Sequence, residues 1–175
     1  EDDFKLFKEK YSDVILKPLN GMGGDSIYKF DKTSEDHLKI FKELTNNYKT
    51  MVMVQNFLPE IYDGDYRILI INGEPFPIGL ARIPQKGSFK GNLAAGGRGE
   101  ARELSADQIQ ASKEIGKILI QEGILFAGID MIGSSLTEIN ITSPTGAREI
   151  LNQTGQNPIK ALLPVSYTHL TLPTI

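Results

Sequence analysis

The sequence has no cysteine. That excludes disulfides, thiolate nucleophiles and sulfur metal ligands, and it suits a reducing compartment, so a cytoplasmic location is expected. No apolar run approaches the roughly 20 residues that a membrane-spanning helix needs, and no membrane partner is expected. Basic charge is not in excess: the formal net charge is −3, whereas a nucleic-acid-binding domain usually carries a basic stripe, so no nucleic-acid partner is expected. The chain opens on Glu1-Asp2-Asp3, the reverse of the basic start of a signal peptide. It has no initiator Met, so the reading frame is expected to begin further upstream. No Ser-His-Asp or Cys-His arrangement supports a nucleophilic hydrolase. What is present is 40% hydrophobic and 23% charged over 175 residues, the composition of an ordinary globular protein with one sizeable core, or one domain and part of another.

The pattern along the chain predicts an α+β protein with a largely antiparallel sheet and flanking helices. Residues 2–10 read as a helix with Phe4 and Phe7 on one face. Val14–Leu16 and Ile27–Phe30 read as strands of a hairpin around Gly21-Met22-Gly23-Gly24. A helix is expected over 35–47, capped by Thr33 or Ser34, with Leu38, Phe41 and Leu44 inward and His37 facing solvent. Met51–Phe57, Arg67–Ile71 and Phe76–Arg82 read as strands, the last two joined by an Asn72-Gly73 turn. Residues 84–103 read as one long connection, rich in Gly, Ala and charge, of a length that is usually functional or disordered. Ser105–Gln108 is a capping-box pattern opening a helix with Ile109, Ile115, Ile118 and Leu119, stopped by Gly123. Ile124–Ile132 and Leu136–Thr142 read as strands around a three-residue turn, Gly133-Ser134-Ser135, and a last helix starts near Thr145.

Three segments carry chemistry. With residues 133–135 as the turn, Asp130 faces Glu138 across the hairpin and Asn140 shares the face of Glu138. Opposed carboxylates destabilise a sheet unless something compensates. Mg²⁺, held by one or two carboxylates and nucleotide phosphates, would compensate, as would solvation of the face or protonation of one carboxyl. Lys17 precedes the Gly21–Gly24 cluster, an arrangement that suits phosphate but equally suits a tight hairpin. It is neither a Walker A loop nor a dinucleotide fingerprint, since no Gly-Lys-Ser/Thr closes it and Ser26 stands where a third glycine would be needed. Arg67 and Arg82, with the loop Gly91-Asn92-Leu93-Ala94-Ala95-Gly96-Gly97-Arg98-Gly99, suit a transferring phosphoryl group under a closing loop, or else a mobile surface loop with two solvated arginines.

Taken together these stretches, with Gln55-Asn56-Phe57-Leu58-Pro59 and Thr137-Glu138-Ile139-Asn140-Ile141-Thr142-Ser143-Pro144, resemble bacterial glutathione synthetase, a family of ATP-grasp ligases, from near the start to about residue 163. The resemblance implies the ATP-grasp fold and a reaction in which ATP phosphorylates the C-terminal carboxylate of γ-glutamylcysteine and the amine of glycine attacks the acyl phosphate. It implies that Lys17, Gly21, Met22, Gly23 and Gly24 hold the ATP phosphates, and that Gln55, Asn56, Phe57 and Leu58 line the adenine pocket. Asp65 would meet the ribose. Asp130, Glu138 and Asn140 would bind Mg²⁺ or Mn²⁺. Arg67, Arg82, Asn92, Gly97 and Arg98 would serve catalysis, within a lid over 84–99. Ser143, Pro144 and Thr145 would bind substrate ahead of a helix N-terminus.

The same resemblance divides the chain into part of a lid subdomain (1–60), a catalytic subdomain (61–163) and a tail (164–175). The fold is then incomplete at the N-terminus, with the family's substrate domain missing, so turnover by this chain alone is not expected. The whole enzyme would be a homo-oligomer. Val165 to Thr174 reads like a translated library adaptor and not a native β-like end, and few contacts with the core are expected of it. Rival readings are another ATP-grasp ligase, of the D-alanine–D-alanine or protein-tail glutamate type, and a nucleotide-binding module without ligase activity.

Overall fold

The computed structural model describes residues 1–20, 25–31 and 33–170, the last six of these as backbone only. The Gly21-Met22-Gly23-Gly24 cluster, and with it the expected phosphate loop, lies outside the described residues, as do the side chains of the tail. The described chain forms two compact units, Glu1–Pro59 and a second that begins at Glu60.

The first unit is a three-stranded antiparallel sheet carrying two helices. Helix α1 (Asp2–Lys10) leads into β1 (Val14–Pro18), which lies between β2 (Tyr28–Phe30) and β3 (Val52–Asn56), with α2 (His37–Leu44) between the outer strands in sequence. Alternation puts Val14 and Leu16 of β1 inward, where they meet Phe4, Phe30 and Phe41. Phe4 and Phe41 stack with ring centroids 4.5 Å apart. The expected caps Thr33 and Ser34 do not cap α2: its N-cap is Asp36, with no side-chain bond, because the Ser34 hydroxyl is engaged with Asp31 instead. His37 is not solvent-facing. It is half-buried between the Phe4 and Phe30 rings, with Nδ1 2.7 Å from the Ser34 carbonyl.

The second unit is an antiparallel sheet in the order β7-β6-β4-β8-β9, with the two-residue β5 (Glu74–Pro75) also on β4. Its strands are β4 (Asp65–Ile71), β6 (Ile78–Ile83), β7 (Arg98–Glu103), β8 (Phe126–Ile132) and β9 (Ser135–Asn140). Central β4 is buried over Tyr66–Ile71, so its apolar run serves both faces of the sheet. Ile68 and Ile70 meet Ile129, Met131 and Leu119 beneath α3 (Ala106–Gln121), whereas Leu69 meets Leu80 and Ile150 beneath α4 (Ala147–Thr154). Helix α5 (Pro158–Leu170) follows, and its backbone runs through Pro164 and past the position where the tail was expected to begin.

Three further expectations are revised. Residues 84–103 are not one loop: the last six, Arg98–Glu103, are β7, an edge strand whose charges alternate with Gly and Ala and give no apolar signal. On α3, Ile118 is 59% exposed, and Gln108, Ser112 and Gly116 are buried with Leu119 instead. A side chain at Gly116 would be driven into the Gly73 carbonyl of the Asn72-Gly73 turn, so only glycine lets the helix come this close. The capping box itself is present, with Ser105 and Gln108 bonded reciprocally. The last hairpin turns on two residues and not three, with Ile132 opposite Ser135 and Met131 opposite Leu136. A β-bulge then takes up Thr137 and restores Asp130 opposite Glu138. The Thr137 hydroxyl donates to the Asp130 carbonyl at 3.0 Å.

Candidate active site

Register builds the site. Arg67 lies opposite Asp130, and Asp130 opposite Glu138, so three charged residues form one rung across β4, β8 and β9. Asp65 lies opposite Arg82 in the neighbouring rung. The Arg67 guanidinium grips Asp130 with two donors, Nε to Oδ1 and Nη2 to Oδ2 at 2.9 Å. Arg82 Nη2 bridges Asp65 Oδ2 and Asp130 Oδ2, the latter at 2.9 Å. Its Nε donates to the Asp65 carbonyl at 3.3 Å. All four side chains are at most 14% exposed.

Burying two ion pairs contributes little to stability, because desolvation offsets most of the attraction. Arg67 reaches across β8 only because residue 128 is glycine: a Cβ there would stand 3.0 Å from Arg67 Cδ and 2.6 Å from Pro144 Cβ. Beyond it, Arg67 Nη1 donates to the Thr145 hydroxyl and carbonyl, each at 3.4 Å. With its amide turned so that both ends find partners, Asn140 joins the group, its oxygen accepting from Arg67 Nη2 and its nitrogen donating to Glu138 Oε1, both at 3.2 Å.

Electrostatics sort the carboxylates. Asp65 has its pKa raised to about 6, chiefly by burial and partly by the Asp130 charge, against the pull of Arg82 and Arg67. Its Oδ1 is buried and makes no hydrogen bond within the protein. For Arg67, burial works against the charged form, but the bond to Asp130 and the surrounding carboxylates outweigh it and raise the pKa.

The structure thus brings together Asp65, Arg67, Arg82, Asp130, Glu138, Asn140 and Thr145. Asp65, expected at a ribose, is turned onto Arg82. Arg98 is held instead by Glu100 at 2.6 Å and is 72% exposed. Asn92 and Gly97 close a compact turn in the loop, Gly97 N donating to the Asn92 carbonyl at 3.1 Å. Ser143 has a positive φ of 47° and, with Pro144 and Thr145, precedes α4, whose N-cap is Gly146. In the first unit, Lys17 stands on β1 opposite Met53, and Gln55 and Asn56 on β3 opposite Ile15 and Val14. Phe57 follows, its amide donating to the Asp13 carbonyl at 3.0 Å, and then half-buried Leu58. Sequence reasoning missed the pairing of Arg67 with Asp130, which joins strands 63 residues apart, and the role of Gln153 at the edge of β7.

Among the described residues, no three His, Cys, Asp or Glu side chains cluster closely enough to hold a metal by themselves. The oxygens of Asp130, Glu138 and Asn140 are a donor set that fits a hard divalent cation completed by ligand oxygens. Arg67 and Arg82 hold both Asp130 oxygens and Arg67 the Asn140 oxygen, so a cation would have to displace those bonds. No described helix is long and apolar enough to cross a membrane.

The chain is 49% identical over 149 residues to the glutathione synthetase of Vibrio parahaemolyticus, covering 85% of this chain and 47% of that protein. It is 48% identical over 172 residues to the glutathione synthetase of Escherichia coli K12, covering 98% and 51% respectively. The chain therefore spans about half the length of these relatives. In fold it is similar to a RiPP-associated ATP-grasp ligase of Chryseobacterium gregarium, solved with ADP and a leader and core peptide, with a TM-score of 0.65 at 19% identity over 98% of this chain and 53% of that one. The fold is ATP-grasp, and with residues 1–155 matching the prokaryotic glutathione synthetase ATP-grasp domain, the chain belongs to that family.

Proposed function

We propose that the longer protein to which this chain corresponds is an ATP-dependent carboxylate–amine ligase that joins γ-glutamylcysteine to glycine. The observation that carries the proposal is the buried Arg67–Asp130–Arg82 cluster, flanked by Glu138 and Asn140, on one face of the ATP-grasp sheet. Two guanidiniums preorganised by a shared carboxylate need little rearrangement to meet charge developing on a transferring phosphoryl group and on the acyl phosphate. The Arg82 Nη1 group, which is bonded to neither carboxylate, would point to the phosphate oxygens, and Arg67 would do so on releasing Thr145 or Asn140. Thr145 steadies Arg67 from the far side, where the α4 N-terminus supports a substrate carboxylate.

Asp130, Glu138 and Asn140 would hold Mg²⁺ or Mn²⁺. The ion, when bound, supplies charge neutralisation and orientation of the phosphates. Lys17 and residues 21–24 would hold the phosphates of ATP, and Gln55–Leu58 the adenine. Asp65 keeps Arg82 in place, and the ribose contact is open to it only if it releases Arg82. Residues 84–99, with Asn92, Gly97 and Arg98, would exclude water on closing. A cytoplasmic, homo-oligomeric enzyme belongs to the same proposal.

The test is ADP release by the enzyme completed from its own gene, with Mg-ATP, γ-glutamylcysteine and glycine. Turnover that requires both γ-glutamylcysteine and glycine is expected. ADP release dependent on another acid or amine would replace the substrates, and nucleotide binding without ADP release would reduce the protein to a binding module.

A further inference from the structure

The outer edge of β7 is occupied by a side chain. The Ala101 amide donates to Gln153 Oε1 at 2.8 Å, and Gln153 Nε2 donates to the Gly99 carbonyl at 3.0 Å. An N–H and a C=O two residues apart on one edge are the groups that an added antiparallel strand would engage. The carboxamide of Gln153 presents one acceptor and one donor in the same plane, so it takes the place of the carbonyl and the amide that such a strand would offer. Sheet edges are commonly closed by covering elements. Here the closure is placed where it bears on the site.

Gly99 is the second residue of β7, directly after the glycine-rich loop. The Leu93 side chain of that loop rests against Gly99: a Cβ there would lie 3.4 Å from Leu93 Cδ2. Eight residues before Gln153, just ahead of α4, Thr145 holds Arg67, and three residues before it Ile150 is seated against Leu69, Ile78 and Leu80. One helix is thus anchored to the arginine cluster at its start, to the core in its middle and to the loop's exit through Gln153.

We propose that Gln153 is a positioning residue: its carboxamide pins the start of β7 to α4 and so fixes the downstream end of the glycine-rich loop relative to Arg67. Its consequence for turnover rests on the reading of residues 84–99 as the segment that closes over the site. The pin itself does not.

The pin is tested on the 175-residue chain by amide exchange and by trypsin, for which Lys86, Lys90 and Arg98 offer cleavage sites in or beside the loop. In Gln153→Ala the Ala101 amide should exchange about fivefold to tenfold faster, the loss of one or two exposed neutral hydrogen bonds, while β4 amides keep their protection. Cleavage after Arg98 should rise by a similar factor. Gln153→Glu keeps the acceptor for Ala101 but, when ionised, has no donor for Gly99. Near pH 4 a growing share of its carboxyls is protonated and regains the donor. Exchange in Gln153→Glu should therefore approach the wild-type rate as pH falls from 7 to 4, which a general loosening of α4 would not do. Unchanged Ala101 exchange in Gln153→Ala overturns the proposal, as does equal loss of protection at Ala101 and in β4, or a Gln153→Glu defect that is independent of pH. If the pin behaves as expected but Mg-ATP gives the wild-type loop no protection from trypsin, the pin stands and the closing role of the loop falls.

Discussion

Asp65→Asn is the substitution with the most definite expected effect on stability. The Asp65 carboxyl is 14% exposed and one of its oxygens has no partner in the protein, so the folded state holds it against its preference for water. A rise in pKa from 3.8 to about 6 corresponds to roughly 3 kcal/mol. Because the folded pKa is the higher one, the folded protein binds more protons than the unfolded chain between pH 4 and 6. Stability from this group therefore falls as pH rises through that window, and the full penalty is present at pH 7. Asparagine keeps an acceptor for Arg82 and cannot ionise. Below pH 4, where Asp65 is largely neutral in both states, the two proteins should be close in stability; at pH 4.5 the unfolded chain is already mostly ionised and about 1 kcal/mol of the penalty is present. At pH 7 the variant should gain relative to wild type by up to roughly 3 kcal/mol, less whatever Arg82 loses in ion pairing. Glu1 and Asp31, fully exposed and with pKa values lowered to about 2, act in the opposite sense: their stabilisation is lost as pH falls from 4 toward 2, equally in both proteins. The assay is urea denaturation of both proteins at pH 4.5, 5.5, 6.5 and 7.5. A difference that does not change with pH would show that Asp65 is ordinarily solvated and that the raised pKa is wrong. A difference that changes in the other direction would make the Arg82 pair dominant.

Glu138→Gln should abolish most turnover of the completed enzyme, measured as ADP release at saturating Mg-ATP, while thermal denaturation without nucleotide shows the fold as stable as before. Ser112→Ala should stabilise the second unit by about 1 kcal/mol in urea denaturation, because the Ser112 hydroxyl is fully buried with no hydrogen-bond partner. Gly116→Ala should destabilise it by about 2–3 kcal/mol by the same measurement, since the new methyl would collide with backbone that cannot yield without parting α3 from the Asn72-Gly73 turn.

What was legible in the sequence divides by the range of the interaction. Local chemistry reads well: the Ser105–Gln108 capping box, the Asn72-Gly73 turn with positive φ at both residues, and the inward Phe4 and Phe41 were all present in short windows. Strand β7 was not, because an edge strand of alternating Arg and Glu is stabilised by cross-strand backbone bonds and by salt bridges such as Arg102–Glu100 at 2.7 Å, and not by an apolar face. On α3 the periodic isoleucines suggested a stripe that includes Ile118, but close approach selected Ser112 and Gly116 instead. The candidate site was half visible. Glu138 and Asn140 come from one hairpin, whereas Arg67 meets Asp130 only through the pairing of β4 with β8, which no local pattern encodes.

The Asp130–Glu138 pairing was expected from a three-residue turn and is produced by a two-residue turn with a bulge at Thr137. Both routes spend the same seven residues between the two carboxylates, and both return them to the same rung. Loss of Thr137 from the two-residue version would leave an ordinary ladder, again with the acids opposed, at the cost of its bond to the Asp130 carbonyl. The hairpin tip is thus a place where lineages can drift in length without surrendering the acidic pair. Gaps between homologous chains should gather between residues 133 and 137 and spare Asp130, Glu138 and Asn140.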